Sequence, residues 1–368
     1  MADSLDRLTI RGFKSIRELE DFELRNLNVF VGANGAGKSN LIAFFRLLQA
    51  LVEGNLADFI RESGGISDLL YNGRKVTKHM EFETHFGVHG YRFAIKPGPG
   101  EGFALANEAC YDQSGGKRWR ELESNGDNSS LLVKEAKGNS PNSQYCRPVF
   151  DAISSWKIYH FHDTSATAAM RHAEIIEDNK ALRYDAANIG PFLLRLRQDE
   201  QACYDDIRNA CRLVAPFLDD FLLEPQQLGP KTKVSLSWKT KGSDYPMQSY
   251  HLSDGNIRFI CLATALLQPN PPTTMIIDEP ELGLHPEAIR ILGELILDAA
   301  SRTQVIVATQ SPLLLDQFAI ENVVTVNRRD GQSTFERLQR SDYSEWLESY
   351  SVGELWAKNV IHGGTTHE

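Results

Sequence analysis

The first fifty residues alternate between β-type and helical hydrophobic patterns. Leu8–Phe13 is a β-type run, and Leu27–Gly35 is an apolar run that passes into a glycine-rich loop. From Ser39 onwards a helix is predicted, because apolar residues recur at helical spacing and share one face. These residues are Leu41, Phe45, Leu48 and Val52. The start of the chain therefore predicts strand, turn, strand, loop and helix.

The middle of the chain is less regular. Residues 73–146 contain short alternating β-type pieces between loops rich in Gly, Asn, Ser and Pro, which predicts a variable β-rich segment. Trp156–Phe161 returns to strand character, and Pro191–Phe221 has apolar residues in helical register. Lys233–Thr240 is predicted to form one further strand.

The final third repeats an apolar strand followed by a helix. Residues 251–268 read as a glycine turn and then a helix that is apolar nearly all round. Residues 273–280 form a short apolar strand that ends in acids, and Pro286 suits the first turn of a helix through Ala300. Residues 304–312 and 322–328 predict two more strands. Such alternation is typical of an α/β fold with a mixed or parallel sheet covered on both faces.

Composition narrows the class of protein. The chain has 368 residues, of which 42% are hydrophobic, so it can bury a substantial core. It has no apolar stretch near the roughly 20 residues of a membrane span, and its first residues lack a secretion pattern, so we expect a cytoplasmic protein with no membrane contact. Five scattered cysteines indicate reduced thiols. The net charge of −10 does not favour binding of nucleic acid by charge alone.

The glycine loop carries the strongest chemical signal. Its sequence fits G-x-x-x-x-G-K-[ST], between a predicted strand and a predicted helix, and a chance glycine turn is the weaker alternative. Backbone N–H groups of such a loop surround a phosphate, and the helix N-terminus favours an anion. Lys38 is expected to reach the β- and γ-phosphates of ATP, and the Ser39 hydroxyl to bind Mg²⁺. The predicted nucleotide-binding residues are Gly32, Asn34, Gly35, Ala36, Gly37, Lys38, Ser39 and Asn40.

Two adjacent acids end the strand at residues 275–279. Asp278 is predicted to bind the Mg²⁺ ion directly or through water, and Glu279 to orient the attacking water. A structural capping role for both acids is the alternative. Two carboxylates at the end of an apolar strand are otherwise costly to place, which favours the catalytic interpretation.

Leu252–Asn256 opens the apolar helix with a second anion-binding pattern. The Ser253 hydroxyl, the Gly255 backbone N–H and the helix N-terminus can together bind a phosphate without a lysine. The alternative is an ordinary N-cap serine with an aspartate in the first turn.

Together these motifs resemble ABC-type ATPase heads of the RecF, OLD and SMC kind, in which Leu252–Asn256 resembles the signature motif and is named the signature segment. Several further runs are similar to a bacterial family of predicted AAA ATPases of about this length, and the resemblance covers most of the chain. These runs are HFHDTS (160–165), LSDGNIRF (252–259), IDEPELGLHP (277–286), ATQSP (308–312) and SVGELW (351–356). The resemblance implies a fold whose two halves come together around an insertion. It also implies a homodimer that closes head to tail around ATP, in which Ser253 and Gly255 of one chain meet the γ-phosphate held by the other.

The same resemblance assigns two more positions. Gln310 stands where the family usually has its switch histidine, and a glutamine can donate a hydrogen bond but cannot take up a proton. The glutamine implies slower hydrolysis, with Glu279, Lys38 and Gln310 as the catalytic set; a strand-end amide bonded to the backbone is the alternative for Gln310. Lys14 and Ser15 stand where related heads have a basic residue near the nucleotide, with a solvated turn as the alternative. His160 and His162 could point to one face of a strand, as a metal site, as packed or hydrogen-bonded structural residues, or as residues near the nucleotide.

The predicted division of the chain follows from these motifs. Residues 1–85 form the N-terminal part of the ATPase core with the phosphate loop, 86–155 the β-rich insertion and 156–245 a helical lobe. Residues 246–340 form the C-terminal part of the core with the signature and the acid strand, and 341–368 the tail. We find neither a Toprim pattern nor a coiled-coil repeat.

Three functions remain open from the sequence. The first is a nucleotide-gated switch that acts with an effector protein in DNA maintenance or antiphage defence. The second is a RecF-like repair ATPase that binds DNA directly, and the third is a regulatory head with little turnover. A transporter subunit fits less well, because the insertion after the phosphate loop is too long.

Overall fold

The computed structural model describes residues 4–113, 118–123, 129–243 and 245–361. Its first strands and helices, in chain order, are β1 (Arg7–Phe13), β2 (Ile16–Glu23), β3 (Leu27–Val31), α1 (Lys38–Glu53), α2 (Leu56–Glu62), α3 (Ile66–Leu69), α4 (Gly73–Val76), β4 (Met80–Phe86), β5 (His89–Pro97), β6 (Phe103–Asp112) and β7 (Arg118–Glu121). Next come α5 (Leu131–Lys137), α6 (Ser143–Ser155), β8 (Lys157–Tyr159), β9 (Glu174–Ile175), α7 (Ile189–Asp199), α8 (Gln201–Val214), β10 (Leu218–Leu222), β11 (Gln226–Leu228), β12 (Lys231–Val234), β13 (Ser237–Thr240) and β14 (Pro246–Gln248). The last are α9 (Asp254–Leu267), β15 (Thr274–Asp278), α10 (Pro286–Arg302), β16 (Gln304–Thr309), α11 (Pro312–Leu315), β17 (Val323–Arg329), β18 (Gln332–Arg337), α12 (Ser344–Leu347) and α13 (Val352–Ala357).

The central sheet combines strands from both ends of the chain. Its order is β18-β17-β3-β16-β15-β8, and every pair is parallel except β17 with β18. The N-terminal strand β3 therefore lies between two strands from the last third of the sequence. Because β16 also pairs with β15, the phosphate loop after β3 lies at the same edge of the sheet as the acids at the end of β15.

The central strands are buried on both faces, as parallel strands covered by helices must be. Val29 and Val307 point into one hydrophobic cluster with α9 and α10, whereas Phe30 and Ile306 point into the other with α1 and α6. The near-continuous apolar character of these strands in the sequence follows from this two-sided burial.

A second sheet of six antiparallel strands has the order β2-β1-β4-β5-β6-β7. Strands β5 to β7 of the predicted insertion thus extend the sheet that β1 and β4 begin. The strands before and after α7 and α8 in the sequence form two small sheets, with the orders β10-β13-β14 and β11-β12-β9. Among the described residues, none of the helices combines the length and the apolar character needed to cross a membrane.

Three local predictions were wrong. The stretch 131–155, predicted as β-rich, forms α5 and α6, because Cys146, Val149 and Ile153 have helical spacing and are fully buried. The predicted helical stretch ends at Val214 and continues into β10. The predicted single strand over 233–240 splits into β12 and β13 in different sheets.

All five cysteines are free thiols, as the sequence indicates. Two that lie far apart in the sequence nevertheless meet between β6 and α6, where the Cys110 and Cys146 sulfur atoms are 2.8 Å apart.

We predict that Trp156→Ala destabilises the protein by about 3–5 kcal/mol, because the deletion leaves a large cavity. Trp156 is fully buried, and its ring centroid lies 5.5 Å from that of Phe45 in α1 and 6.0 Å from that of Phe86 in β4. Urea unfolding followed by circular dichroism measures the change. Trp346→Ala is the matched control, because Trp346 is 46% exposed, and we expect an effect within about 0.5 kcal/mol. Equal unfolding midpoints for the two variants would contradict this description of the core.

Candidate functional site

The phosphate loop joins β3 to α1 at the carboxyl edge of the central sheet. Gly35 has a φ of 80° and Gly37 a φ of 123°, values that L side chains rarely adopt. A Cβ at Gly37 would also overlap the Ser333 hydroxyl of β18. Glycine is therefore required at both positions for the loop to turn and to lie against its neighbour.

Lys38 is the first residue of α1 and its side chain is buried. Its Nζ donates hydrogen bonds to the backbone oxygens of Gly32 at 2.5 Å and Ala33 at 3.3 Å. Burial lowers the pKa of Lys38, and the carboxylates of Glu279, Asp278 and Glu281 oppose this shift. The amine therefore lies over the phosphate loop within the field of three acids.

The predicted acids lie at the same edge as the loop. Asp278 ends β15, which pairs in parallel with β16, and β16 pairs in parallel with β3. Glu279 follows with a φ of 42°, a left-handed conformation that is uncommon outside glycine. Its backbone N–H donates to the Ala308 oxygen at 2.8 Å, which holds the turn against β16. Parallel strands thus bring Lys38, Asp278 and Glu279 together from distant parts of the sequence.

Gln310 leaves the end of β16 and contacts Glu279 directly. Its side-chain Nε2 donates a hydrogen bond to Glu279 Oε1 at 2.6 Å. A glutamine amide donates a hydrogen bond in this position but cannot accept the proton that a histidine could. This hydrogen bond fixes the position of one carboxylate oxygen of Glu279. Because the Gln310 amide cannot take up a proton, only the Glu279 carboxylate of this pair can do so.

Glu281 supports this contact and was not assigned by the sequence. Its Oε1 accepts hydrogen bonds from Thr309 Oγ1 at 2.6 Å and from the Gln310 backbone N–H at 3.1 Å. Its Oε2 is buried with no hydrogen-bond partner among the described residues. Burial raises the pKa of Glu281, and the nearby Glu279 contributes to the rise. Glu281 therefore positions the segment that carries Gln310, with a carboxylate that is costly to ionise.

Ser39 and Asp278 provide the kind of ligands that Mg²⁺ prefers, a hydroxyl and a carboxylate oxygen. Neither side chain has a hydrogen-bond partner within the described chain. Burial raises the pKa of Asp278, while His162, Arg46 and Lys38 lower it. A divalent cation would favour the ionised carboxylate, so these two residues fit a magnesium ion.

The signature segment forms the N-terminus of α9. Ser253 is the N-cap, and its Oγ accepts a hydrogen bond from the Asn256 N–H at 3.2 Å. A Cβ at Gly255 would lie 2.6 Å from the Gly283 oxygen, so the helix packs closely on the loop after Glu279. No hydrogen bond of the described residues joins Ser253 or Gly255 to the phosphate loop of the same chain.

Two arginines fix this segment. Arg171 Nη2 donates to Asp254 Oδ1 at 2.9 Å, and its Nη1 donates to the Leu252 oxygen at 3.2 Å. Arg258 in α9 donates to the backbone oxygens of His162 at 2.9 Å and of Leu282. Hydrogen bonds thereby connect the signature helix to the loop that follows Asp278 and Glu279.

Lys14 lies in the turn between β1 and β2 with a φ of 49°, and burial lowers its pKa. Its backbone N–H donates to the Leu69 oxygen at 2.7 Å. The neighbouring Ser15 lies beside the phosphate loop, since its Oγ lies 2.6 Å from both Ser333 Oγ and Asn40 Nδ2. A nucleotide contact by Lys14 or Ser15 stays a prediction.

His160 and His162 do lie together, with ring centroids 4.3 Å apart. The His162 Nε2 donates to the Asp278 backbone oxygen at 2.8 Å, which supports the acid strand. Burial lowers the pKa of His160, with His162 and Arg46 adding to the effect. No group of three or more His, Cys, Asp or Glu side chains within the described ranges is arranged to hold a metal ion. The hydrogen bond of His162 and the packing of the two rings support a structural role for these histidines.

We predict that Glu281→Gln stabilises the nucleotide-free protein at neutral pH by about 1 kcal/mol, because it removes a buried charge and keeps the acceptor oxygen. When folding raises the pKa of a carboxyl group, the folded protein loses stability as the pH rises through that raised pKa. The advantage of the variant should therefore disappear in acid, where Glu281 is protonated. Denaturant unfolding between pH 4.5 and 8 measures this trend.

Glu294→Gln is the matched control for this prediction, since Glu294 is exposed on α10. Its unfolding midpoint should follow that of the parent protein at every pH. A loss of stability in Glu281→Gln that is the same at all pH values would contradict the prediction.

The fold is similar to that of solved SMC heads. An Smc head bound to the C-winged helix domain of ScpA matches with a TM-score of 0.62 and 17% identity, over 93% of this chain and 99% of that one. An Smc head with an extended coiled coil, bound to the C-terminal domain of ScpA and derived from Pyrococcus furiosus, matches with a TM-score of 0.58 and 16% identity, over 94% and 98%. An Smc head with a coiled coil and joint from Pyrococcus yayanosii matches with a TM-score of 0.54 and 14% identity, over 94% and 99%.

At this level of identity the similarity shows the fold alone, and it confirms the predicted α/β fold of an ABC-type P-loop ATPase head. No curated protein matches the chain in sequence. The family described as "AAA domain, putative AbiEii toxin, Type IV TA system" matches residues 27–316, which include the phosphate loop, the signature and the acid strand. Family and fold together suggest ATP binding and hydrolysis. The chain belongs to this family of AAA domains and has the fold of an SMC-like ATPase head.

Proposed function

We propose that this protein binds and slowly hydrolyses ATP between two copies of itself, as a nucleotide-gated switch. The observation that carries the proposal is the hydrogen bond from Gln310 to Glu279 at 2.6 Å, at the sheet edge that also holds Lys38. It supports a hydrolytic site, because a phosphate-binding loop alone would need no oriented carboxylate beside it.

Each chain contributes the nucleotide-binding half of one site. The backbone of the phosphate loop and Lys38 bind the phosphates, and the N-terminus of α1 adds a favourable dipole. Ser39 and Asp278 would hold the Mg²⁺ ion, which neutralises charge on the phosphates when bound. Glu279 orients the attacking water and accepts its proton, and the bond from the water oxygen to the γ-phosphorus replaces the bond to the ADP oxygen.

The second copy supplies the other half. The exposed Ser253 and the N-terminus of α9 form an anion site, yet no described hydrogen bond joins them to their own phosphate loop. A head-to-tail pair would bring this site onto the γ-phosphate held by the partner. Its contacts exist only while the γ-phosphate is present, so hydrolysis would reopen the pair.

Slow turnover follows from Gln310. Since its amide neither takes up nor releases a proton as an acid or base near neutral pH, Gln310 orients Glu279 but contributes no acid–base catalysis. A slow cycle suits a switch, whose output is the lifetime of the closed state rather than the number of ATP molecules consumed.

The output of the switch is proposed to pass to an effector protein. The family description names a toxin and a toxin–antitoxin system. Two of the structurally similar Smc heads are bound to domains of ScpA, so this fold can present a protein-binding surface. These findings support a role with a partner protein in antiphage defence or DNA maintenance. Direct DNA binding is the second candidate, and DNA-stimulated ATPase activity that weakens with salt would favour it.

We predict that Glu279→Gln binds ATP, hydrolyses it at least about a hundredfold more slowly and accumulates as a dimer, because it loses the base but keeps the phosphate contacts. Light scattering with and without Mg-ATP measures the mass, and phosphate release measures turnover.

Lys38→Ala in the same background is the control, and it should stay monomeric because it loses phosphate binding. A Glu279→Gln protein that remains monomeric in saturating Mg-ATP would contradict the proposed closure. Linear DNA added in parallel at low salt tests the second candidate, and the absence of any stimulation would remove it.

A further inference from the structure

A cleft of about 550 Å³ lies between the phosphate loop and the C-terminal tail. Gly32, Ala33 and Asn34 line one side together with Gln310, and Trp356, Ala357 and Asn359 of the tail line the other. The sequence predicts that Trp346 and Trp356 of the tail pack against the core, with a partner surface as the alternative. Trp356 borders the cleft on the side opposite the phosphate loop.

The tail is held firmly in this place. Leu355 and Ile361 are fully buried, and the Gly353 N–H donates to Asp316 Oδ1 at 2.6 Å. A Cβ at Gly353 would overlap the Pro312 oxygen of α11, so helix α13 lies in close contact with α11. Ser351 and Glu354 cap the start of α13 reciprocally. The tail wall of the cleft is therefore a rigid part of the head.

The cleft faces the end of the site where hydrolysis takes place. Gln310 lines it and donates to Glu279, so the γ-phosphate would lie at this end of the phosphate loop. Helix α11 starts two residues after Gln310, and α13 packs on α11. The tail is thus connected to the residue that contacts the base.

The signature segment has the features of a partner for this cleft. Ser253 and Asp254 are exposed, and none of residues 252–256 lines the cleft of the same chain. Tyr250, two residues before this segment, is 68% exposed, and its ring lies tilted beside that of His251 with centroids 4.2 Å apart. Exposed tyrosine and half-buried tryptophan are the residue types that carry most binding energy in protein interfaces.

We propose that the tail wall, Trp356, Ala357 and Asn359, is a docking surface for residues 250–256 of a second copy of this chain, which are the signature segment and the two residues before it. The inference rests on the proposed head-to-tail closure and deepens it. The segment enters the cleft beside Asn34, so that Ser253 reaches the γ-phosphate while Tyr250 contacts Trp356. The tail thereby selects a second copy of the same chain as the partner.

The test compares dimer formation in the Glu279→Gln background. We expect Trp356→Ala to raise the dimer dissociation constant about tenfold or more, as the loss of a central tryptophan does in interfaces. Sedimentation velocity in saturating Mg-ATP measures this constant. Binding of a fluorescent ATP analogue to the diluted monomer should change less than about twofold, because the tail contacts the partner rather than the nucleotide.

Two further variants separate docking from folding. Trp346→Ala removes an exposed tryptophan of the same tail and should leave dimerisation unchanged. Ala357→Arg keeps the packing of α13, since Ala357 is exposed, but obstructs the cleft and should also prevent the dimer. Unaltered dimerisation of Trp356→Ala and Ala357→Arg would overturn the inference and leave the proposed function standing. Weaker ATP binding by the Trp356→Ala monomer would overturn it as well.

Cross-linking locates the contact without relying on affinity. Tyr250→Cys and Asn359→Cys, joined by a short bismaleimide, should give a covalent dimer only when Mg-ATP is present. The native cysteines interfere little, since four are buried and Cys203 is half-buried. A cross-link within one chain, or none, would contradict docking at the tail. If the Glu279→Gln parent never dimerises in ATP, the proposed function itself fails, and the inference fails with it.

Discussion

The pairing of β3 between β16 and β17 is the constraint on which the rest of the site depends. It places the phosphate loop at the same carboxyl edge of the parallel sheet as the end of β15, two strands away, which carries the acids. The edge is partly buried, and burial raises the pKa of both Asp278 and Glu281. Such a concentration of desolvated carboxylates is unfavourable without cations. Lys38 supplies one positive charge, and a bound magnesium ion would supply further positive charge beside Asp278.

Two polar side chains of the site have hydrogen-bond partners within the protein. Lys38 hydrogen-bonds to its own loop, and Gln310 to Glu279. Phosphates would compete for the Lys38 amine, and the same loop lies within the cleft that the tail borders. Arg258 connects the signature helix to the loop after the acids, so a change at Glu279 has a direct route to the surface where a second copy would dock. The site and the proposed interface are therefore parts of one connected unit.

The strands, the loop and the acid pair were predictable because their signals are local. A few residues are enough to recognise a glycine-rich loop between a strand and a helix. The same holds for an apolar strand that ends in Asp278 and Glu279. The carboxyl ends of parallel strands then meet at one edge without further information. Local signals could not reveal the contact of Ser15 with Ser333, which joins positions 318 residues apart.

Elements without a local signal were misread or passed over. Helices α5 and α6 follow turn-rich sequence, and only the burial of Cys146, Val149 and Ile153 against the core makes their periodicity decisive. Lys233–Thr240 has uniform strand character, but its two ends pair with different partners, which no local pattern specifies. No role in the site was predicted for Glu281. Its position two residues after Glu279 and the burial of its side chain place it in the site.

The central claim is that one complete site needs two chains, and complementation tests it most directly. A Lys38→Met chain keeps its signature, and a Ser253→Arg chain keeps its phosphate loop, so each alone should be inactive. When the two variants are mixed in equal amounts, half of the dimers would contain one chain of each, and each such dimer would hold one intact site out of two. This predicts recovery of about a quarter of the ATPase activity of the parent protein. Activity of Ser253→Arg alone, or no recovery from two folded variants, would contradict a site shared between copies.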